Sequence, residues 1–227
     1  MIFKKIPQRG IPELDTLRFI SVSLVIAHHL FFKSNPFFEW LSIHGYVGVD
    51  IFFTLSGFII TKGILRETEK TNNLNLKKFW MRRIIRLWPS WLLSLFFSSI
   101  GVYLVSRNNP ELVRVFKERW WHYFLHFGNY SHAFIGKLHT LFSHFWSLAV
   151  EEHFYIVWPI AFLTFYRRNY LKIPILSMLI ILPYIFRVFH KYQGYENIVN
   201  TFSTHTRIDA ICFGCILALA WNKIPEI

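Results

Sequence analysis

The chain has 227 residues, of which 53% are hydrophobic and 19% aromatic, while only 17% are charged. A soluble chain of this length normally carries nearer a quarter charged residues and does not gather its apolar residues into runs that could cross a bilayer. The formal charge of +12 comes from basic residues between apolar runs rather than along one amphipathic face. Composition therefore argues against a nucleic-acid binder and indicates a polytopic membrane protein.

The apolar segments predict an all-α transmembrane helical bundle. Six segments come near the ~20 residues that a helix needs to cross hydrocarbon. The basic N-terminus before the first of them resembles a signal peptide, but no small-residue cleavage site follows, so we interpret this segment as a membrane helix. The predicted spans lie at about 16–33, 46–64, 88–106, 146–166, 173–190 and 207–222.

Basic residues in alternate short loops predict the orientation. Lysines and arginines concentrate in the N-terminal tail, in the 62–87 loop and in the 167–172 turn. Positive loops mark the cytoplasmic side, so we predict a multi-pass protein of the bacterial inner (plasma) membrane with its N-terminus in the cytoplasm.

The histidine- and tryptophan-rich segment 107–145 is predicted to be an external loop that contains an interfacial helix. If part of it instead spans the membrane, the orientation of every later span reverses. Glu118, His122 and His126 are spaced to line one helical face and could bind a metal, but interfacial histidines beside tryptophans explain them more simply. We predict no metal site.

The first span carries two ionisable side chains on one face. Arg18 and His29 are eleven residues apart, almost three helical turns, and so lie roughly 16 Å apart along the helix axis. Ionisable groups are costly inside a membrane and normally face the bundle interior with a partner. This helix is therefore the first candidate for a functional site.

The predicted topology brings several ionisable groups to the outer third of the membrane. His29 lies roughly 18 Å from the cytoplasmic start of its helix. Asp50, Glu151, Glu152 and Asp209 each follow the outer start of a span. For Glu152 and Asp209, a hydrated position at a helix mouth explains the residue equally well. For His29 and Asp50, apolar neighbours on both sides favour a function.

His29 is predicted to be a general base. Burial biases an imidazole toward its neutral form, and a neighbouring carboxylate fixes which ring nitrogen carries the proton. A neutral imidazole can accept a proton from a hydroxyl. We expect Asp50 to orient His29 in this role.

Three arginines precede Pro89 in the motif R-R-I-I-R-L-W-P. Arg82, Arg83 and Arg86 share a helical face, and their guanidinium forks match phosphate oxygens. One interpretation is a docking point for a phosphorylated cytoplasmic donor. The alternative is a plain topology determinant or a contact with lipid headgroups, which charge alone favours.

Five motifs in order resemble the acyltransferase-3 family of integral membrane O-acyltransferases. They are L-D-T-L-R with ten residues before His29, G-V-D-I-F-F-T-L-S-G-F at 48–58, R-R-I-I-R-L-W-P at 82–89, W-S-L-A-V-E-E-H-F-Y-I-V-W-P at 146–159 and R-I-D-A-I-C-F-G-C-I-L-A at 207–218. Each is weak alone, whereas five in sequence and in sensible spacing are specific.

The resemblance implies transfer of an acyl group, commonly acetyl from acetyl-CoA, to a hydroxyl of an extracytoplasmic carbohydrate. It implies no bound cofactor, because acyl-CoA is a co-substrate, and the lipid bilayer, acyl-CoA and a carbohydrate as partners. It implies catalytic roles for His29, Asp50 and Glu151, and substrate- or donor-binding roles for six further residues: Arg18, Arg82, Arg83, Arg86, Arg207 and Asp209.

The resemblance covers residues 1–227 as one membrane domain. The family's domain usually has about ten spans, so six spans imply that the C-terminal part is missing. Two other interpretations stay open: a proton-coupled transporter or channel, with His29, Asp50, Glu151 and Asp209 as a relay, and an inactive truncated remnant. The sequence does not name the acceptor, the acyl chain or the oligomeric state.

Overall fold

The computed structural model describes residues 12–29, 36–136, 140–167, 172–195 and 197–221. These residues form helices and short connections and include no strand, which confirms the predicted all-α class. They belong to two compact units. The first takes its described residues from Met1–Lys70 and Ala210–Ile227, and the second comprises those of Thr71–Asp209.

The first unit contains α1 (Pro12–His29), α2 (Pro36–His44), α3 (Val47–Thr71) and most of α10 (Thr204–Trp221). The backbone of α1 lies directly against the turn between α2 and α3. A methyl group added at Gly45 would lie 2.3 Å from the carbonyl oxygen of Leu24, and one at Gly48 would lie 2.4 Å from that of Ser21. Only glycine leaves room for this approach.

Helices α3 and α10 also meet backbone to backbone. A methyl group at Gly57 would lie 2.0 Å from the carbonyl oxygen of Ile211, and one at Gly214 would lie 1.9 Å from that of Thr54. The hydroxyl of Thr54 donates to the carbonyl oxygen of Ala210 at 3.2 Å. Small residues at four-residue spacing allow such close helix contacts in membranes.

The second unit begins with α4 (Leu76–Ser106) and α5 (Pro110–Phe124). The side chains of Asn75 and Asn109 accept hydrogen bonds from the first turns of these helices, which satisfies backbone donors that lack helical partners. Next come α6 (Gly128–Tyr130), a π-helical turn (Ser131–Ile135), a 3₁₀ turn (Thr140–Phe142), α7 (Phe145–Arg167), α8 (Lys172–Tyr192), α9 (Asn197–Phe202) and the first residues of α10.

A mainly aromatic core joins α4, α5 and α7 in the second unit. Its buried members are Trp91, Leu95, Val102, Tyr123, Phe142 and Phe145. With 31 residues, α4 is about 46 Å long at 1.5 Å per residue, which exceeds the ~30 Å of hydrocarbon in a bilayer.

Among the described residues, three helical segments are long and apolar enough to cross a membrane: α3, α4 and Pro174–Tyr192 within α8. The other predicted spans fall on α1, α7 and α10, which have 18, 23 and 18 residues. Helix α5 lies where the interfacial helix is predicted, and its 15 residues are fewer than the ~20 of a span. A helical membrane bundle is the fold class.

Candidate functional site

His29 is the last residue of α1 and is exposed, so the burial expected for its imidazole was wrong, because α1 ends at this residue. The preceding His28 is half-buried, and its Nδ1 lies 2.6 Å from the carbonyl oxygen of Ser42. A carbonyl only accepts, so Nδ1 of His28 carries the proton and Nε2 keeps its lone pair when the ring is neutral. The two rings are 5.4 Å apart between centroids. The structure thus gives the predicted base a neighbour with a fixed tautomer.

Arg18 and Asp50 are both half-buried in the first unit. Arg18 lies 3.7 Å from Asp15, one turn earlier on α1. Asp50 lies in the first turn of α3, where the helix dipole favours a carboxylate. The pairing of His29 with Asp50 stays a prediction, as does a meeting of either residue with Glu151, which belongs to the other unit.

The second unit holds a cluster of an arginine, a tyrosine and two carboxylates. The guanidinium of Arg83 lies 5.6 Å from the ring centre of Tyr155, whose hydroxyl donates to the buried carboxylate of Glu151 at 3.0 Å. Glu152 is close enough to Arg83 and Glu151 for electrostatic interaction with each. Nε1 of Trp80 donates to the carbonyl oxygen of Tyr155 at 3.0 Å, which holds α4 against α7.

This cluster corrects one expectation. The predicted topology separates the arginines, on the cytoplasmic side, from Glu151, near the outer side, but the structure places Arg83 next to the tyrosine that binds Glu151. The prediction was wrong for Arg83 because boundaries drawn on each span separately ignore how α4 and α7 align.

Helix α7 also exposes apolar side chains past Tyr155, toward its Arg167 end. These are Ile156, Val157 and Ile160.

Arg82 and Arg86 differ from Arg83 in their surroundings. Both are exposed, whereas Arg83 is half-buried and also lies 5.7 Å from the ring centre of Phe79. The three arginines thus do not form one uniform set. Two of them present their guanidinium groups on the surface, as phosphate or headgroup binding requires.

A second ionic contact links α8 and α10. Nη2 of Arg187 lies 2.8 Å from Oδ2 of Asp209, and Nη1 donates to the carbonyl oxygen of Thr206 at 2.6 Å. Arg207 points its guanidinium at the ring of Trp146, 5.8 Å from the centre. Sequence reasoning missed Arg187, although a charge inside the apolar 173–190 run was a signal for it.

Sequence reasoning also missed a polar network near the ion pair. Tyr130 Oη lies 3.2 Å from Nδ1 of His205, and Nε2 of His205 lies 3.4 Å from Nε2 of His190. Nδ1 of His190 then lies 2.9 Å from Oδ1 of Asn200. Because the amide oxygen only accepts, His190 donates from Nδ1 and, when neutral, accepts at Nε2. The network ties α6, α8, α9 and α10 together.

The fold and these clusters define a helical membrane protein with buried or half-buried carboxylates, arginines and histidines in contact between its helices. The chain belongs to the acyltransferase-3 family, because the family's model, described as an acyltransferase domain, matches residues 11–226. This confirms the resemblance carried by the five motifs.

Individual relatives agree with the family match. The chain is 33% identical to the peptidoglycan O-acetyltransferase OatA of Listeria monocytogenes, over 97% of this chain and 36% of the relative. It is also 33% identical to the O-acetyltransferase OatA of Staphylococcus aureus, over 94% of this chain and 35% of the relative. The chain spans about a third of the length of the curated relatives it matches. No solved structure is significantly similar to it.

Proposed function

We propose that this chain carries the membrane part of an O-acyltransferase that moves an acetyl group to a hydroxyl of a cell-wall carbohydrate such as peptidoglycan. The observation that carries the proposal is 33% identity, over 97% of this chain, to a peptidoglycan O-acetyltransferase. Membership of the acyltransferase family supports the same reaction class.

The donor in this proposal is acyl-CoA in the cytoplasm, and the acceptor lies outside a bacterial plasma membrane. The exposed arginines Arg82 and Arg86, which lie in the cytoplasmic 62–87 loop of the predicted topology, suit the phosphates of a coenzyme. Arg83 has another task in the proposal, because its aromatic and acidic neighbours make it the counter-charge of Glu151 and Glu152.

The proton step of the proposal uses His29. Its imidazole takes the proton of the acceptor hydroxyl, the hydroxyl oxygen forms a bond to the thioester carbonyl carbon, and the carbon–sulfur bond breaks. The proton then passes to the coenzyme sulfur, so the products are the ester and free CoA. Asp50 orients the base, and Arg18, on nearly the same face of α1 but almost three turns away, takes part in substrate or donor binding.

The alternative residue for the base is His28, because its Nδ1 bond to the carbonyl oxygen of Ser42 leaves Nε2 as a proton acceptor. Separate alanine variants decide between the two histidines. His44 offers a matched control. It is exposed, and its Nδ1 lies 2.9 Å from the carbonyl oxygen of Trp40 in the same helix.

The direct test uses the purified chain in proteoliposomes, with acetyl-CoA labelled in its acetyl group on one side and peptidoglycan fragments on the other. We expect label on the fragments only when both substrates are present. His29→Ala should abolish transfer, and His44→Ala should leave it unchanged. Absence of transfer by the natural chain under all arrangements, or uncoupler-sensitive proton flux without use of acetyl-CoA, would contradict the proposal.

A further inference from the structure

Two histidines meet where α8 lies against α10. Nε2 of His205 lies 3.4 Å from Nε2 of His190, and the planes of the two rings are almost perpendicular, at 84°. His190 is buried and His205 is half-buried. Two ring nitrogens form a hydrogen bond only if one of them carries a proton and the other a lone pair. The contact therefore depends on how many protons the pair holds.

The neighbours of the pair fix the direction of this bond. His190 donates from Nδ1 to the amide oxygen of Asn200 at 2.9 Å, and the amide nitrogen of Asn200 donates to the carbonyl oxygen of Arg187 at 3.4 Å, which sets the orientation of the amide. A neutral His190 thus accepts at Nε2, so His205 donates from Nε2, and its Nδ1 accepts from the hydroxyl of Tyr130 at 3.2 Å. With both rings neutral, every donor in this chain has an acceptor.

The pair can also hold one additional proton from bulk water. Placed on Nδ1 of His205, this proton is donated to the hydroxyl oxygen of Tyr130, while Nε2 of His205 still donates to His190. The hydroxyl proton of Tyr130 then turns toward Thr204, whose side chain is a hydrogen-bond neighbour of Tyr130. The bond between the two rings therefore survives the first additional proton.

A second additional proton breaks this bond. Both Nε2 atoms then carry hydrogen, so two donors face each other and no lone pair remains between the rings. The two imidazolium charges also repel each other, and the repulsion is stronger than in water because the site is partly buried. The rings must then move apart, and α8 loses its contact with α10 at this point.

The neighbouring charges give little compensation for the second proton. Helix α10 supplies one acidic group, Asp209, one turn after His205, and it already forms an ion pair with Arg187 of α8 at 2.8 Å. Helix α9 has no ionisable residue. The carboxylates of α7, Glu151 and Glu152, belong instead to the arginine and tyrosine cluster described above. The remaining ionisable groups beside the pair in space or in sequence are Tyr130 on α6, His153 on α7, Lys191 on α8, Arg207 on α10, and Tyr195 after α8.

We propose that His190 and His205 form a proton-operated latch between α8 and α10. The latch is closed while the pair holds at most one additional proton, and the second proton opens it in acid. The ion pair of Arg187 with Asp209 joins the same two helices, so opening removes one of two polar links between them. This latch is a property of the fold and is independent of acyl transfer.

The first test measures how Tm depends on pH, by tryptophan fluorescence of the purified chain in detergent. Below about pH 6.5, the usual pKa of histidine, the unfolded chain protonates both rings, whereas the closed latch holds one additional proton. Stability then falls with pH, because the unfolded state binds more protons. His205→Gln leaves one imidazole, which the folded and unfolded states both protonate, and its amide can bond to His190 in either form. We expect its Tm to fall less steeply than that of the natural chain, by about 3–5 °C per pH unit.

The double variant gives a sharper result. His190→Gln should reduce the slope by the same amount as His205→Gln, and the double variant should reduce it no further, because the excess proton belongs to the pair. Two independent histidines would instead give additive reductions. His122→Gln is the matched control in the same unit, since Nδ1 of His122 lies 3.1 Å from a carbonyl oxygen of its own helix, that of Arg119, and we expect the natural slope. Unchanged slopes in both single variants, or additive slopes, would overturn the latch.

Nitrogen NMR of the natural chain, with labelled histidines, tests the latch without any substitution. The coupling between two nitrogens across their hydrogen bond identifies the pair among the 11 histidines. At about pH 8, where histidines are neutral, we expect one ring of the pair to carry its proton on Nε2 and the other on Nδ1. On acidification, the coupling should survive the first proton and vanish with the second. The same tautomer in both rings, or a coupling that persists when both are imidazolium, would contradict the proposal.

Discussion

The contact between α3 and α10 gives the sharpest test of the fold. We expect Gly57→Ala to destabilise the first unit strongly, because the added methyl group would lie 2.0 Å from the carbonyl oxygen of Ile211. The same change at Gly63, also on α3, would meet no atom within 4 Å. The two variants therefore add the same group to the same helix in opposite surroundings.

The size of the effect follows from this geometry. Real Cβ contacts essentially never fall below 3.0 Å, so α3 and α10 must separate locally by at least 1.0 Å (3.0 − 2.0). Overpacking of this kind costs about 1–3 kcal/mol, and we expect about 3 kcal/mol here because the opposing atom is backbone and has no rotamer to change. Gly63→Ala should instead stabilise its helix by about 0.5–1 kcal/mol.

The assay can use the only two cysteines of the chain. Cys212 and Cys215 are 1% and 0% exposed, and both lie on α10 beside the contact. A thiol-reactive dye in detergent therefore reports unfolding of this helix pair as temperature rises. For Gly57→Ala we expect a Tm lower by about 6–12 °C, given about 2–4 °C per kcal/mol at this chain length. Equal Tm values for the two variants would refute the close contact.

Three further predictions concern ionisable groups. Arg187→Met and Asp209→Asn should each destabilise the second unit, and a double-mutant cycle in the same dye assay should give a coupling of about 1–3 kcal/mol; additive effects would show that the 2.8 Å pair contributes nothing. In the proteoliposome assay, a base at His29 predicts that His28→Ala retains most transfer while His29→Ala retains none, and the reverse result would move the base by one residue. Arg83→Lys keeps the charge but loses the flat guanidinium beside Tyr155, so we expect a lower Tm with KM for acetyl-CoA unchanged, and a raised KM alone would return Arg83 to the donor site.

Local sequence patterns predicted those features that depend on one helix or one repeat. The apolar runs located the helices. On α10, small residues recur every four positions at Ala210, Gly214 and Ala218, a spacing typical of close helix contacts, and Gly214 does lie against the backbone of Thr54. Such features follow from spacing along a single helix, so they can be seen without knowing its neighbours.

Features that depend on the alignment of two helices were not predictable in the same way. Hydropathy gives each span its own boundaries. The position of Arg83 beside Tyr155 depends instead on the axial register of α4 against α7. That alignment is set by the contact of Trp80 with the backbone of α7 and by the packing of Trp91 on Phe145. No periodicity in either segment contains this information.

The left-handed helix end at His126 was hidden for a different reason. A left-handed helix end is usually signalled by glycine, and here a histidine occupies it. In the sequence, His126 is one of several histidines between aromatic residues, and a membrane-surface position explained all of them equally. Its backbone conformation distinguishes it from its neighbours, as do ring nitrogens that have no hydrogen-bond partner within the described residues.

Pro89 interrupts the hydrogen-bond ladder of α4 without ending the helix. A proline has no N–H, so the carbonyl oxygen of Ile85 loses its helical donor, and kinks in long helices concentrate at such positions. The turns that bear Arg82, Arg83 and Arg86 are therefore joined to the aromatic core by the most easily bent point of the helix. Trp80 before Pro89 and Trp91 after it both contact residues of α7, so neighbouring contacts fix α4 on both sides of its weakest turn.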